Sequence, residues 1–502
     1  MDRKVSYASR AGIAEEVQPG DKEGSLAEAG GAKYAAYAPK LKRLTRMNKL
    51  TFLAALLVGV NFSSISVAQQ MFPAENSVEQ AFKNLPAILP LRDRAKLEDK
   101  WLADRLDNVL PALMREQKID MWVLIAREYV EDPVVDTMLD AESMHARRRT
   151  ILLFYDPGEG RPVERLTVSR YGMGDLFKPA WIPERVPDQW KQLGELITKR
   201  QPKRIAINSS ALTQFADGMT LSQFEGLRTA LPPAMRQRIV RNDELAVTWL
   251  ETRTMQEMKV YPDIVRLAHS IIAEGLSAAV IVPGKTSADD VVWWMRERVS
   301  SLGLDTWFQP SIGIIRRGKS EMLEGDEIIQ KGDMLWTDFG ISYLGLNTDT
   351  QHLAYVLKDG ERDAPEGLKA GLAAANAVAD ALTSSFKAGR TGNQILAEAR
   401  SKAITRGLKP SIYSHPIGYH GHGAGSSIGF WDNQKPDPKG EHPLRKNTAW
   451  SIELSAKSLV REWNNQEVEF RSEEDAFFDG SKVVYMDGRQ SNFHLIGDPS
   501  PR

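Results

Sequence analysis

Apolar positions along the chain fall into two kinds of run, one with helical spacing and one that is short and continuous. Residues 92–117 place Leu97, Leu102, Leu106, Leu110 and Leu113 near one face of a helix. Met121-Trp-Val-Leu-Ile-Ala126, Thr150-Ile-Leu-Leu-Phe-Tyr155 and Arg204-Ile-Ala-Ile-Asn208 are apolar runs suited to buried strands, and Asp156-Pro-Gly marks a turn after the second. Residues 187–200 and 219–231 read as helices between strands. This alternation predicts an α/β domain over about 72–245.

A second domain is expected over 246–502. Ile264, Leu267, Ala268, Ile271, Ile272, Gly275, Leu276 and Ala279 recur at i, i+3, i+4 spacing, which gives an amphipathic helix ended by Pro283-Gly284. Thr286 and Ser287 are candidate N-caps of a following helix, with Asp289 and Asp290 in its first turn and Val291, Val292, Met295, Val299 and Leu302 on its buried face. A later helix carries Leu368, Leu372, Ala375, Val378, Ala379 and Leu382, and another carries Ile395, Leu396, Ala399 and Ala403. Strands are predicted at 333–343, 351–357, 449–455, 467–471 and 475–478. The order is therefore two helices, strands, two helices, strands.

Length agrees with two domains, because 502 residues exceeds the ~250–300 at which single cores stop growing. The formal net charge of −1 provides no global field toward nucleic acid or an anionic membrane. The chain has no cysteine, which excludes disulfides, thiolate metal sites and a cysteine nucleophile. Lys40, Lys42, Arg43, Arg46 and Lys49 precede an apolar run, Leu50 to Val60, and then Ser66-Val67-Ala68. That is the layout of a cleavable leader over 47–68, with cleavage near Ala68. Its apolar run is short of the ~20 residues needed to span a bilayer. The expectation is export to the periplasm with no stable membrane span, a membrane anchor being the alternative. Residues 1–46 are read as an upstream or disordered extension.

Five acid- and histidine-bearing segments carry the chemistry. Asp338 interrupts an apolar strand in Met-Leu-Trp-Thr-Asp338-Phe-Gly, and Asp349 follows past Gly340 and Gly345, so the second carboxylate can fold back across a hairpin. Glu453 lies in Trp-Ser-Ile-Glu453-Leu, and Glu473 and Glu474 follow Arg471. Burying ionised carboxylates without partners is very costly, and adjacent ones repel unless a cation lies between them. His415, His420 and His422 fall within eight residues, the last two inside a glycine-rich segment, Gly418-Tyr-His-Gly-His-Gly-Ala-Gly425. Four carboxylates and one imidazole balance two divalent cations, with manganese first and cobalt, zinc or iron as alternatives. Such a pair can hold a bridging hydroxide and polarise a carbonyl.

The segments Asp338 through Asp349, Gly-His422-Gly-Ala-Gly, Ser-Ile-Glu453 and Arg471-Ser-Glu473-Glu-Asp together resemble the signature of the pita-bread metallopeptidases, in the Xaa-Pro aminopeptidase and prolidase branch. The resemblance spans about 250–490 in order and spacing. It implies an N-terminal α/β creatinase-like domain followed by an α+β catalytic domain, a curved antiparallel sheet backed by two helix pairs. It also implies a metal-dependent peptidase acting on short peptides, and a homodimer is common among such proteins. By the same resemblance Asp338 chelates one metal, Asp349 and Glu473 bridge both, and His422 and Glu453 complete the other. Arg471 orients the bridging carboxylate, a metal-bound hydroxide attacks, and Glu453 shuttles the proton. His420 against His422, and Glu474 against Glu473, stay open as ligands.

Two expected histidines are missing from the pattern. The stretch Trp307-Phe-Gln-Pro-Ser-Ile-Gly-Ile-Ile-Arg-Arg317 lacks a substrate-binding histidine, and no histidine follows His422 by seven residues. His415 and His420 are candidates to reach in as catalytic groups. A non-peptidase hydrolase or lyase, or an inactive binding homologue, is the alternative. Gly425-Ser-Ser427-Ile-Gly429 also matches a serine-hydrolase elbow, with Asp475 and His494 in the required order, but no apolar strand precedes it and no helix follows.

Overall fold

Among the described residues, strand pairing builds a six-stranded sheet, a nine-stranded sheet and a two-stranded hairpin. A computed structural model describes residues 86–497, so the readings of 1–46 and of the leader at 47–68 lie outside the described residues. The predicted N-terminal helix runs as α1 (Leu91–Asp104), a single π turn (Arg105–Val109) and α2 (Leu110–Glu116). The first sheet has six strands: β1 (Met121–Arg127), β2 (Arg149–Tyr155), β3 (Glu164–Thr167), β4 (Lys178–Pro179), β5 (Ile205–Ile207) and β6 (Ile239–Arg241). Their order is β4-β3-β2-β1-β5-β6, with β1 antiparallel to β2 and parallel to β5. α3 (Gln189–Arg200) and α4 (Leu221–Ala230) lie between these strands in sequence. Thr220 and Gln223 close a capping box on α4.

α5 (Asp243–Glu251) links this sheet to the second half, which opens with α6 (Tyr261–Gly275) and α7 (Ala288–Ser301). Of the two candidate caps, Ser287 is the one that caps α7, and Asp290 completes a reciprocal box with it; α6 stops at Gly275, earlier than Pro283-Gly284. The second sheet contains β7 (Ser311–Ile315), β8 (Met334–Phe339), β11 (Thr350–Val356), β12 (Pro410–Ile412), β13 (His415–Ile417), β14 (Thr448–Val460), β15 (Gln466–Phe478), β16 (Val483–Tyr485) and β17 (His494–Ile496). The short pair β9 (Ser342–Tyr343) and β10 (Leu346–Asn347) forms the hairpin between β8 and β11. The order β12-β14-β15-β11-β8-β7 is antiparallel throughout, and only β17 joins in parallel, beside β11.

β15 is one strand where the apolar pattern predicts two, 467–471 and 475–478. Ser472, Glu473, Glu474 and Asp475 break the hydrophobic run, yet all four are buried and the strand pairs with β14 from Gln466 to Phe478.

Two helix pairs back this sheet. α6 and α7 pack with Ile312, Ile314, Leu335, Phe339, Ala354 and Val356 in one core. α8 (Glu366–Thr383) and α9 (Gly392–Thr405) pack with Trp450, Ile452, Leu454 and Phe470 in the other. At Gly371 of α8 an added Cβ would stand 2.1 Å from the Phe470 ring, so only glycine allows this approach. Architecture and helix pairs are those the sequence resemblance implies.

The joint between the halves is charged and buried. Arg105, in the π turn, donates to Thr252 O at 2.6 Å and to Glu257 at 3.2 Å, and it also donates to Trp249 O. Tyr419 donates to Glu257 at 2.6 Å, with Arg105 and Arg253 over its ring at 4.9 and 4.4 Å. His442 contacts Glu244 at 3.1 Å and Glu251 at 3.2 Å, both on α5. Burial alone would lower the His442 pKa, but the two carboxylates outweigh it and raise it from 6.5 to about 10. Its stabilising contribution is therefore complete below pH 6.5 and is lost as pH rises toward about 10. His442→Ala should cost about 3–5 kcal/mol near pH 6. That cost should shrink steadily on the alkaline side, as read by urea denaturation at a series of pH values.

Candidate metal centre

Strand register places the acids in one row. Glu453 pairs with Glu473, Glu473 with Gln351, and Gln351 with Asp338. Side chains alternate across a strand, so these four share one face of the sheet, and the alternate residues Ile452, Glu474 and His352 face the other. The β8–β11 hairpin then returns Asp349, just before β11, to the same place. Asp338, Asp349 and Glu473 bring one oxygen each within a common 4.8 Å.

β13 pairs with β14 at His415 opposite Ser451, two residues from Glu453 and on its face. The His415 Nε2 atom lies 3.7 Å from Asp349 Oδ2 and 3.7 Å from Glu473 Oε1. Its Nδ1 contacts Pro416 O at 3.0 Å, which fixes the ring and leaves Nε2 free to accept. His415, Glu453 and Glu473 form a second group within 4.8 Å.

The geometry separates the three histidines. His415, assigned above as a reserve catalytic group, is the one that faces both Glu453 and Glu473. His422, assigned as the metal ligand, stands further out: it groups with Asp349 and His415 and is exposed. Its ring meets those of His415 and Trp307 edge-on, at 5.0 and 5.2 Å. Burial and the neighbouring His415 hold the His422 pKa below its ordinary value. His420 turns away altogether. Its ring stacks on Phe215 at 4.3 Å, and burial lowers its pKa to about 4. The spacing from His415 to His422 is seven, the interval that is empty when counted from His422.

Arg471 also departs from its expected role. It lies 3.7 Å from Glu469 and over the Trp336 ring at 5.1 Å, and no hydrogen bond joins it to Glu473 among the described residues. Glu473 is instead held by Ser451 and by the Gln351 amide, which donates at 2.6 Å to Glu473 and at 3.0 Å to Glu453. Trp336 Nε1 donates to the Gln351 carbonyl oxygen at 2.9 Å and so sets which end of the amide meets the acids. Gln351 escaped the sequence reading. Its signal was the period of two: it lies two residues after Asp349, in line with the acids.

Trp307 occupies the region where a histidine was expected. It donates to Thr348 O at 2.8 Å. An added Cβ at Gly421 would stand 2.3 Å from its ring, so the glycine-rich segment exists partly to let this indole in.

Electrostatics favour cations here. Burial, and after it the charge of Glu473, pushes the Asp338, Asp349 and Glu453 carboxyls well above the usual range. Asp475, whose Oδ2 accepts from Asp349 N at 3.1 Å, is pushed up by burial as well. Asp338 Oδ1, Asp475 Oδ1 and His415 Nε2 are buried without hydrogen-bond partners. Oxygen-rich donors with one imidazole and orphaned lone pairs fit divalent metal ions. Glu474 is excluded as an alternative to Glu473 because it faces the other side, on His352 at 3.2 Å. The serine-hydrolase alternative also fails: Asp475 bonds Asp349 N, while His494 contacts His352 at 3.1 Å on the opposite face.

A cavity of about 300 Å³ leads to His415 and His422. Leu212, Phe215, Asp243 and Glu244 line it from the first half of the chain, and Tyr413 and Phe430 from the second.

Three comparisons bear on this geometry. The description of metallopeptidase family M24 matches residues 263–477. No curated protein matches the chain. Among solved structures, an X-Pro aminopeptidase from Thermotoga maritima is similar at 16% identity and TM-score 0.55, covering 76% of this chain and 99% of its own. An Xaa-Pro dipeptidase from Bacillus anthracis is similar at 14% identity and TM-score 0.51, covering 81% and 100%. The dipeptidase PepE from Mycobacterium ulcerans is similar at 14% and 0.51, covering 80% and 98%. At such identities the likeness is one of fold.

The three histidines should separate on substitution. His415→Ala should weaken divalent-metal binding by more than about 100-fold, measured by competition with a fluorescent chelator. His422→Ala should leave metal affinity near wild type, and His420→Ala should leave it unchanged.

Proposed function

We propose that the chain is a two-metal aminopeptidase or dipeptidase of the metallopeptidase M24 type, whose family description matches residues 263–477, acting on short peptides of the Xaa-Pro type. The observation that carries this reading is the buried set of Asp338, Asp349, Glu453, Glu473 and His415 beside a cavity closed by both halves of the chain. Asp338, Asp349 and Glu473 would hold one ion, and His415, Glu453 and Glu473 the other. When bound, the pair supplies polarisation of the scissile carbonyl and a water acidified enough to attack near neutral pH.

The chain's own residues do the rest. Glu453 has its Oε1 tied to Gln351, which leaves Oε2 to take a proton from the attacking water and return it to the departing amine. His422, with its pKa below the ordinary value, lines the cavity as a neutral donor for the substrate carbonyl. Trp307, anchored on Thr348 O, braces the His422 ring. Phe215 gives the first half an apolar wall, and Asp243 adds a carboxylate beside it that suits a peptide's amino terminus. The cavity lies at the small end of the ~300–1,000 Å³ range of ligand pockets. That size suits a di- or tripeptide. The names of the similar solved structures support the Xaa-Pro class, and the basic-apolar leader supports export to the periplasm.

One observation favours a second reading, a binding module without catalysis. The Gln351 amide donates to both Glu453 and Glu473 and so holds them together through the protein's own groups. Metal content and cleavage decide between the two. The purified chain, loaded with manganese, should hold about two ions and cleave Xaa-Pro peptides faster than Xaa-Ala ones. Chelation and Asp349→Ala should each abolish cleavage. Two ions with no cleavage of any peptide would overturn the peptidase reading.

A further inference from the structure

A second convergence of metal-binding side chains lies on the opposite face of the same sheet. His352 on β11 and Glu474 on β15 are strand neighbours of Gln351 and Glu473 and therefore point the other way. His269 of α6 meets them. His352 Nε2 lies 3.2 Å from Glu474 Oε1, and His269 Nε2 lies 3.2 Å from Glu474 Oε2. All three groups offer a donor atom within a common 4.8 Å.

The outer atoms of both rings are already occupied. His269 Nδ1 lies 3.0 Å from Asp487 Oδ2, and Asp487 in turn accepts from Arg266 at 3.0 Å. His352 Nδ1 lies 3.1 Å from His494 Nε2. Each imidazole is thus held by its Nδ1 with its Nε2 aimed inward, which is how metal-binding histidines are oriented by their supporting groups. Glu474 is likewise steadied by Gln490 N at 2.6 Å. Its side chain is only 3% exposed, and its Oε2 meets His269 Nε2 while its Oε1 meets His352 Nε2, so both carboxylate oxygens face an imidazole. Two inward imidazole nitrogens and one buried carboxylate, converging within 4.8 Å, form a zinc-type donor set with one open position.

We propose that His269, His352 and Glu474 bind one divalent cation of the zinc class, separate from the carboxylate-rich centre, and that it staples α6 to β11 and β15. The two centres differ in preference, since imidazole donors favour zinc and the carboxylate row favours manganese. The ion would serve structure, because its residues face the helix-backed side, away from the cavity.

The test uses the full chain with the carboxylate row disabled by Asp338→Asn and Asp349→Asn. After chelator treatment, zinc addition and desalting, this variant should retain one zinc per chain, with two imidazoles in its X-ray absorption spectrum, and should melt at a higher temperature. Adding His269→Gln or His352→Ala should weaken zinc binding by at least about tenfold and remove the thermal gain. Should the double variant fail to fold, zinc-saturated wild type serves instead, and it should hold one more ion than the single variant His269→Gln. Zinc counts that do not respond to His269→Gln or His352→Ala, or no zinc in the double variant, would overturn the proposal. Neither outcome depends on peptide cleavage. Conversely, an inactive chain that still loses one zinc on His269→Gln would sink the peptidase reading alone.

Discussion

Like charges held side by side inside a sheet govern this structure. Glu453, Glu473 and Asp338 lie in one transverse row with Gln351 between the last two, and Asp349 closes over them. Burial, and after it the charge of Glu473, raises the proton affinity of Asp338, Asp349 and Glu453. Such a row is tolerable only if protons, donors or cations neutralise it. Ser451 and Gln351 supply donors, and the buried Nε2 of His415 stands at the centre without a hydrogen-bond partner. The remaining lone pairs call for metal ions.

Register makes the row, and helix packing fixes the register. A slip of one residue between β14 and β15 would turn Glu473 toward the helices and Glu474 toward the cavity. Ile452, Leu454 and Phe470 oppose that slip by burying their side chains under α8, where Gly371 admits the Phe470 ring. On the other side the buried joint of Arg105, Glu257, Arg253 and Tyr419 anchors the loop that follows His415. The cavity therefore draws its walls from both halves, while all the acids of the centre come from one.

Much of this was legible in the letters. The Asp338 and Asp349 hairpin, an N-cap at Thr286 or Ser287 and the paired helices followed from period, caps and glycines. What misled was local. Gly-His422-Gly-Ala-Gly carries the conspicuous motif, but pairing of residues 415–417 with β14 decides which ring enters the acids, and pairing between distant segments is not written in one stretch of sequence. β15 was split because Glu473, Glu474 and Asp475 interrupt its apolar pattern, as functional residues do when they occupy core positions. β7 went unread because Ser311 to Ile315 is short and holds a glycine. Gln351 was passed over because an amide between strands looks inert until its neighbours are known.

The most direct measurement is anomalous diffraction at the manganese edge from crystals of the manganese-loaded protein. Two peaks should appear, one among Asp338, Asp349 and Glu473 and the other among Glu453, Glu473 and the Nε2 of His415. A second peak bound to His422 with His415 uncoordinated, or no peak in the carboxylate row, would contradict the account.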